Sequence, residues 1–239
     1  MSRIHQRVDR RRVVDAVTAA AELGPYVTLH AGSGPVVSLE QMCEPEPLGE
    51  LLDAVADQIG TDEPRVAAST VQFGFAARCW SLVLGVWHQA RLVLDVRDVS
   101  FVVTGPGSIQ LSLPELHAWD GESALLGDVA ELFTAMVANH PLSRMHAGLR
   151  QTVRIAEGLL WGNAAAALAS TPRAISPNRT DAQLEALTAA MLSRAPLSGR
   201  LVTTPEGVLR RSCCLWYRTR DRDHCGDCPL TDRVSRHRR

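Results

Sequence analysis

Residues 64–87 read PRVAASTVQFGFAARCWSLVLGVW, and Val66, Val71, Phe73, Phe75, Trp80, Leu82, Val83, Leu84 and Trp87 place apolar side chains on nearly every side of one helical cylinder. A surface helix keeps a polar stripe, whereas a helix that is hydrophobic all round is buried. The segment therefore predicts a central helix, opened by Pro64 at a first helical position, around which the other elements pack. Gly74 and Gly85 mark places where neighbours can approach closely. His88, at the end of this run, reads as a cap or a satisfied core residue rather than a ligand.

Upstream, Val13, Val14, Val17, Ala20 and Ala21 recur at helical spacing and Gly24-Pro25 closes that helix. Tyr26 to His30 is expected as a short strand. The following Ala31-Gly32-Ser33-Gly34-Pro35 reads as a plain turn, because Pro35 removes an amide donor and a third glycine at dinucleotide spacing is missing. Pro47 then opens a second amphipathic helix with Leu48, Leu51, Leu52, Val55 and Ile59 as its stripe, ending at Gly60.

Downstream the period changes to two. Leu92, Leu94 and Val96, then Val99, Phe101 and Val103, then Ile109, Leu111 and Leu113 predict three short strands. Turns at Val96-Arg97-Asp98 and Gly105-Pro106-Gly107 would make them an antiparallel meander, covered by the central helix. A helix over 125–137 is expected to stop at His140-Pro141, and a long helix capped by Ser143 to run to Ser170. Thr180 with Gln183 has the spacing of a capping box for a helix carrying Leu184, Leu187 and Met191. Leu201–Thr203 and Val208–Arg210, around Pro205-Glu206-Gly207, predict a hairpin leading into Cys213. The fold class is α+β: a mainly helical body with a small antiparallel β-meander and a C-terminal cysteine-rich metal module. The domain reading is residues 1–205 for the body and 206–239 for the module.

Composition bounds the chemistry. With 239 residues, 46% of them hydrophobic and a net charge of −1, the chain can bury a good core and has no general attraction for nucleic acid or membranes. The sequence contains no lysine, which excludes a phosphate-loop lysine and a lysine Schiff base. The arginine-rich start has no apolar stretch behind it and no apolar run is long enough to span a bilayer, so a cytoplasmic protein without a transmembrane segment is expected, with a peripheral seat at the inner membrane face still compatible. In that compartment clustered cysteines mean metal or redox chemistry before disulfides.

Four of the six cysteines are clustered: Cys213 and Cys214 are adjacent, and after ten further residues Cys225-Gly226-Asp227-Cys228-Pro229 makes a Cys-x-x-Cys turn. Thiolates select zinc, copper(I) or iron–sulfur clusters. Structural zinc takes its thiolates from spaced knuckles, and the vicinal pair has no spacing at all. Chemistry alone leaves a [2Fe–2S] cluster and a four-thiolate zinc site as two open readings. Cys43 and Cys79 stand apart and read as buried hydrophobes.

Arg-x-x-Cys-Cys-Leu-x-Tyr over 210–217, ten residues between the second and third cysteines, and Cys-Gly-x-Cys-Pro over 225–229 resemble the C-terminal signature of the FhuF-like ferric-siderophore reductases. Leu160-Trp161-Gly162-Asn163 resembles the same family more loosely. The resemblance implies a [2Fe–2S] cluster bound by Cys213, Cys214, Cys225 and Cys228. It also implies an oxidoreductase that reduces Fe(III)-siderophore to release Fe(II) in the cytoplasm. Its partners would be a ferric siderophore and an external electron donor, a ferredoxin or flavoprotein, because the sequence has no dinucleotide or flavin fingerprint of its own.

Residues 209–239 carry nine arginines against four aspartates. Arg233 to Arg239 read as a solvated tail. Arg210, Arg211, Arg218, Arg220 and Arg222 are close enough in sequence to the cysteines to favour a reduced cluster and attract anionic iron chelates. Within the long helix, Trp161-Gly162-Asn163 is expected to make a close helix crossing with Trp161 in the core; the alternative places Asn163 at a substrate or cluster. Two other function classes use the same cysteines: an iron–sulfur redox sensor or regulator, and a zinc-stabilised interaction domain.

Overall fold

The computed structural model describes residues 4, 6–30, 35–205, 207–221 and 223–230. In chain order these form α1 (Arg10–Ala21), β1 (Val36–Ser38), α2 (Leu39–Met42), α3 (Pro45–Ile59), α4 (Pro64–Ala90), β2 (Leu92–Leu94), β3 (Ser100–Gly105), β4 (Ser108–Ser112) and β5 (Ala118–Asp120). There follow α5 (Leu126–Phe133), a π-helical segment (Thr134–Leu142), α6 (Ser143–Thr152), α7 (Glu157–Ile175), α8 (Ala182–Leu192), β6 (Leu201–Thr204), β7 (Gly207–Arg210) and a 3₁₀ turn (Trp216–Arg218). This is the expected α+β architecture. The turn read at Ala31 to Gly34, the residue Glu206, Arg222 and the arginine tail lie outside the described residues.

Helix α4 is the axis of the molecule. Val66, Phe75, Trp80, Val83 and Leu84 are fully buried, and Trp80 Nε1 donates to the Ala164 carbonyl of α7 at 3.0 Å. Helices α1, α3 and α7 all pack on α4. Gly85 takes Val27 so closely that a Cβ there would lie 2.6 Å from a valine methyl. Among the described residues no helix is long and apolar enough to cross a membrane.

Several elements differ from the sequence expectation. Tyr26 to His30 forms only an isolated bridge, Leu29 to Leu111, and the third strand of the larger sheet is β1, giving the order β1-β3-β4, all antiparallel. The β3–β4 hairpin turns at Gly105-Pro106-Gly107 as expected, with Gly107 at φ 64°, and Phe75 of α4 meets Phe101 of β3 with ring centroids 5.1 Å apart. Strand β2 does not join the meander. It pairs with β5, Val93 opposite Trp119, because Val93 is as buried as Leu92 and Leu94 and the three together are a wholly interior strand rather than one alternating face.

Helix α3 begins at Pro45, two residues before Pro47, and ends in left-handed Gly60 at φ 65°. The chain continues helically through Pro141 as a π-segment, whose wider i→i+5 pattern tolerates a residue without an amide hydrogen. The long helix expected from Ser143 breaks instead at Val153, which is extended at φ −136°, ψ 151°, in a stretch containing the β-branched Thr152, Val153 and Ile155. The cap of α8 is Asp181, whose carboxylate accepts from the amides of Gln183 and Leu184, not Thr180. The same aspartate meets His88 Nδ1 at 2.7 Å, so His88 is a satisfied residue at the end of α4.

One buried polar pair stands under α6 and α7. The Gln72 amide lies 2.9 Å from His146 Nε2, and the His146 ring sits edge-on to Trp161 at 4.3 Å. Burial pushes the His146 pKa down to about 3, so the native state holds the neutral ring while the unfolded chain binds a proton below about 6.5. Stability is therefore complete above that pH and declines as the pH falls from about 6.5 toward 3. His146→Gln, which retains a polar partner for Gln72, is expected to flatten this limb by a few kcal/mol between about pH 6.5 and 4. Denaturant titrations at a series of pH values measure the slope, and an unaltered slope in the variant assigns the acid sensitivity to other groups.

Candidate metal centre

The C-terminal hairpin β6–β7 brings Arg210 against the N-terminal half of α7 and hands the chain to the vicinal cysteines. Leu215 then adopts a left-handed conformation, φ 68° and ψ 3°, which costs a non-glycine residue about 1–3 kcal/mol. The turn directs backbone amides back at sulfur. Leu215 N–H donates to Cys213 Sγ at 3.3 Å, and the amide of Trp216 hydrogen-bonds Cys214. Amides converging on sulfur in this way form a concavity suited to negative charge.

Cys225 and Cys228 lie on the second turn, closed by Cys228 N–H to Cys225 O at 3.1 Å. The sulfurs of Cys214 and Cys225 are 3.3 Å apart and share a hydrogen bond. Through that bond the Cys214 thiol is pushed down to about 6 and that of Cys225 is pushed up. The pair thus gives up one proton readily and keeps the other until a metal displaces it. Burial raises Cys213, against the Leu215 amide, and Cys228 is near enough to contribute to the same shift. All four thiols are free of disulfides. Among the described residues no group of three or more His, Cys, Asp and Glu side chains is gathered tightly enough to hold a metal ion as it stands. Four thiols supplied from two turns, with backbone amides aimed at two of them, have the soft-donor chemistry of an iron–sulfur site.

The module is seated by a chain of buried polar groups. Arg210, only 5% exposed, hydrogen-bonds the Asp227 carboxylate through Nε and the Asn163 side-chain oxygen through Nη1. Its backbone amide donates to the Asp227 carbonyl at 2.9 Å, and its guanidinium lies over the Phe73 ring, 4.9 Å from the centroid. The Asn163 amide donates to Ser69 O and Oγ, both at 3.0 Å. Ser69 Oγ in turn donates to the carbonyl of Cys214 at 2.6 Å. One arginine therefore links both cysteine turns to the core helices α4 and α7. Asn163 belongs to this seat, and the expected close helix crossing is with α4, where Asn163 meets Ser69 and Ala164 accepts from Trp80; Gly162 in addition faces the module, where a Cβ would lie 2.1 Å from Ser212 Oγ. Trp161 is buried as expected.

The arginines that the sequence placed near the cysteines divide. Arg210 is matched by Asp227, and Arg218 Nη1 pairs with Glu63 Oε1 at 2.6 Å; hydrogen bonds from Arg218 and Arg65 hold the Glu63 carboxyl below its usual range. The Arg220 side chain lies against Gly60 at the end of α3, where a Cβ would approach its Nε to 2.7 Å. These three anchor the module more than they charge it. Cys79 is fully buried and Cys43 half-buried, and burial raises both thiols, Cys43 to about 11.

Beside this centre opens a cleft of about 1140 Å³, bounded by α3, α4, the β3–β4 turn, the C-terminal half of α7 and the cysteine turns. Cys214 and Cys225 contribute to its wall, as does Trp216. Sequence reasoning did not find this cleft, because its lining comes from segments as far apart as Tyr26 and Asp227.

Residues 210–230 match the family model described as the FhuF 2Fe-2S C-terminal domain. The C-terminal segment is similar to the FhuF-type [2Fe–2S] domain. That match decides between the cluster and zinc readings in favour of the cluster. The matched residues begin at Arg210 and contain all four clustered cysteines, so the FhuF-type segment includes its own anchoring arginine. No curated protein matches the chain.

Proposed function

We propose that this chain is a ferric-siderophore reductase of the cytoplasm, with Cys213, Cys214, Cys225 and Cys228 as the cluster ligands. The observation that carries this reading is the cleft: a large cavity whose wall includes Cys214 and Cys225 gives a bulky chelate access to the edge of the metal centre. A [2Fe–2S] cluster, when bound, supplies one electron at a time.

The chain's own residues provide the rest. The Leu215 and Trp216 amides lower the cost of negative charge on the Cys213 and Cys214 sulfurs. Arg210, Asn163 and Ser69 fix the two cysteine turns against rigid helices, so donor and acceptor need no rearrangement on meeting. The Fe(III) of the chelate gains the one electron that the protein loses and becomes Fe(II), which hard oxygen donors hold less firmly. A ferredoxin or flavoprotein then restores the electron.

The experiment is a single-turnover titration. Chemically reduced protein, mixed anaerobically with a ferric siderophore and a ferrous trap, is expected to reoxidise and yield about one Fe(II) per cluster. NADPH alone is expected not to sustain turnover, whereas a ferredoxin or flavoprotein is. Protein that stays reduced beside several chemically different ferric chelates would overturn the reductase reading in favour of a redox sensor.

A further inference from the structure

Among the described residues the charge balance inside the cleft is one-sided: its charged side chains are Arg78, Arg173, Arg210 and Asp227, and the last two neutralise each other. Arg78 donates to the Gly74 carbonyl of its own helix at 3.0 Å and lies over the Tyr26 ring, 5.2 Å from its centroid. Among the described residues neither Arg78 nor Arg173 pairs with a carboxylate. Burial lowers the pKa of Arg78, yet a guanidinium remains charged at neutral pH. A half-buried cation without a counter-charge is stabilised by any anion that reaches it.

The rest of the lining is mostly apolar or aromatic, including Leu51, Val55, Phe73 and Trp216. The volume exceeds the roughly 300–1,000 Å³ of ordinary small-molecule pockets, so a free phosphate or carboxylate would leave it largely empty. We infer that the cleft takes a ferric chelate of net negative charge with a bulky, partly apolar organic shell, and that Arg78 and Arg173 select it by charge. The inference rests on the reductase reading and narrows its substrate class. The aromatic and aliphatic wall covers the shell, the two guanidinium groups meet the anionic face, and Cys214 and Cys225 mark the wall toward which the metal must lie.

The test uses cluster-loaded protein and the redox-inert gallium(III) forms of two hexadentate chelates of similar size, one anionic and one neutral, with binding followed by calorimetry. The anionic complex is expected to bind about tenfold more tightly at low ionic strength, and the preference to shrink in high salt. Arg78→Gln with Arg173→Gln is expected to remove the preference while the visible spectrum of the cluster is unchanged. Arg173 is exposed, so Arg173→Gln alone, expected to lose part of the preference, keeps the test valid if the double variant fails to fold. Equal affinity for the two complexes, or an undiminished preference in both variants, overturns the inference. Reduction of neutral and anionic ferric chelates alike, with no charge preference in gallium binding, sinks the inference and leaves the reductase standing. Arginine-dependent binding of an anionic complex that reduced protein never reduces supports the site and removes the reductase.

Discussion

Cys214→Ala is expected to yield a protein almost devoid of cluster, where the parent carries about two iron and two sulfide per chain. The hydrogen bond to Cys225 favours the Cys214 thiolate, and the Cys214 carbonyl is fixed to the core by Ser69. Alanine removes both this thiolate and the acceptor that the Trp216 amide serves. Loss should be as severe for Cys213, Cys225 and Cys228. Since metal binding contributes directly to folding energy in small modules, each of these variants should also melt earlier. Cys43→Ala and Cys79→Ala are expected to keep the cluster, because Cys79 is enclosed in the core and Cys43 half-buried against Gly148, and burial holds both thiols protonated. Iron and sulfide analysis, visible absorption and EPR after one-electron reduction measure the outcome. Full occupancy in Cys213→Ala or Cys214→Ala would falsify the vicinal ligand assignment.

What the sequence made legible, and what it did not, follows from locality. Helix α4 could be read from residues 64–87 because an all-round apolar helix needs no knowledge of its partners. The cysteine signature that the family model matches could be read because its spacing is carried by two short turns. Strand β2 could not be placed, since its partner β5 lies some twenty-five residues away and three consecutive apolar residues have no preferred face. The π-segment was hidden because His140-Pro141 looks like a stop, whereas the chain passes through Pro141 in a π-helical segment. Arg210 posed a different difficulty. An arginine near cysteines reads as charge, but its side chain is enclosed and its work is to join Asp227, Asn163 and the Phe73 ring. Gly162 and Asn163, both poor helix formers, stand out in the sequence; the element they serve, Ser212 and Arg210, lies about fifty residues downstream. The cleft had no local signal at all.

Arg210→Met is expected to destabilise the protein by about 3–5 kcal/mol, the usual effect of removing one partner from a buried ion pair. Methionine fills much of the arginine's volume and keeps the contact with Phe73, so packing contributes little to the loss. The loss comes from the Asn163 oxygen, left buried without a donor, and from the Asp227 carboxylate, 24% exposed and deprived of its cation. Arg210→Lys should recover little, because an ammonium cannot span two acceptors as the planar fork does. If Arg210 and Asn163 act as one unit, Arg210→Met combined with Asn163→Ala should destabilise by less than the sum of the single variants, with a coupling of about 0.5–3 kcal/mol. A positional role also has a signature beyond melting. The two cysteine turns lose their common anchor, so iron should leave Arg210→Met faster than the parent in the presence of a strong chelator, under conditions where both remain folded. Equal rates of iron loss, together with additive destabilisation in the double variant, would show that the turns are held by the hairpin and the metal alone.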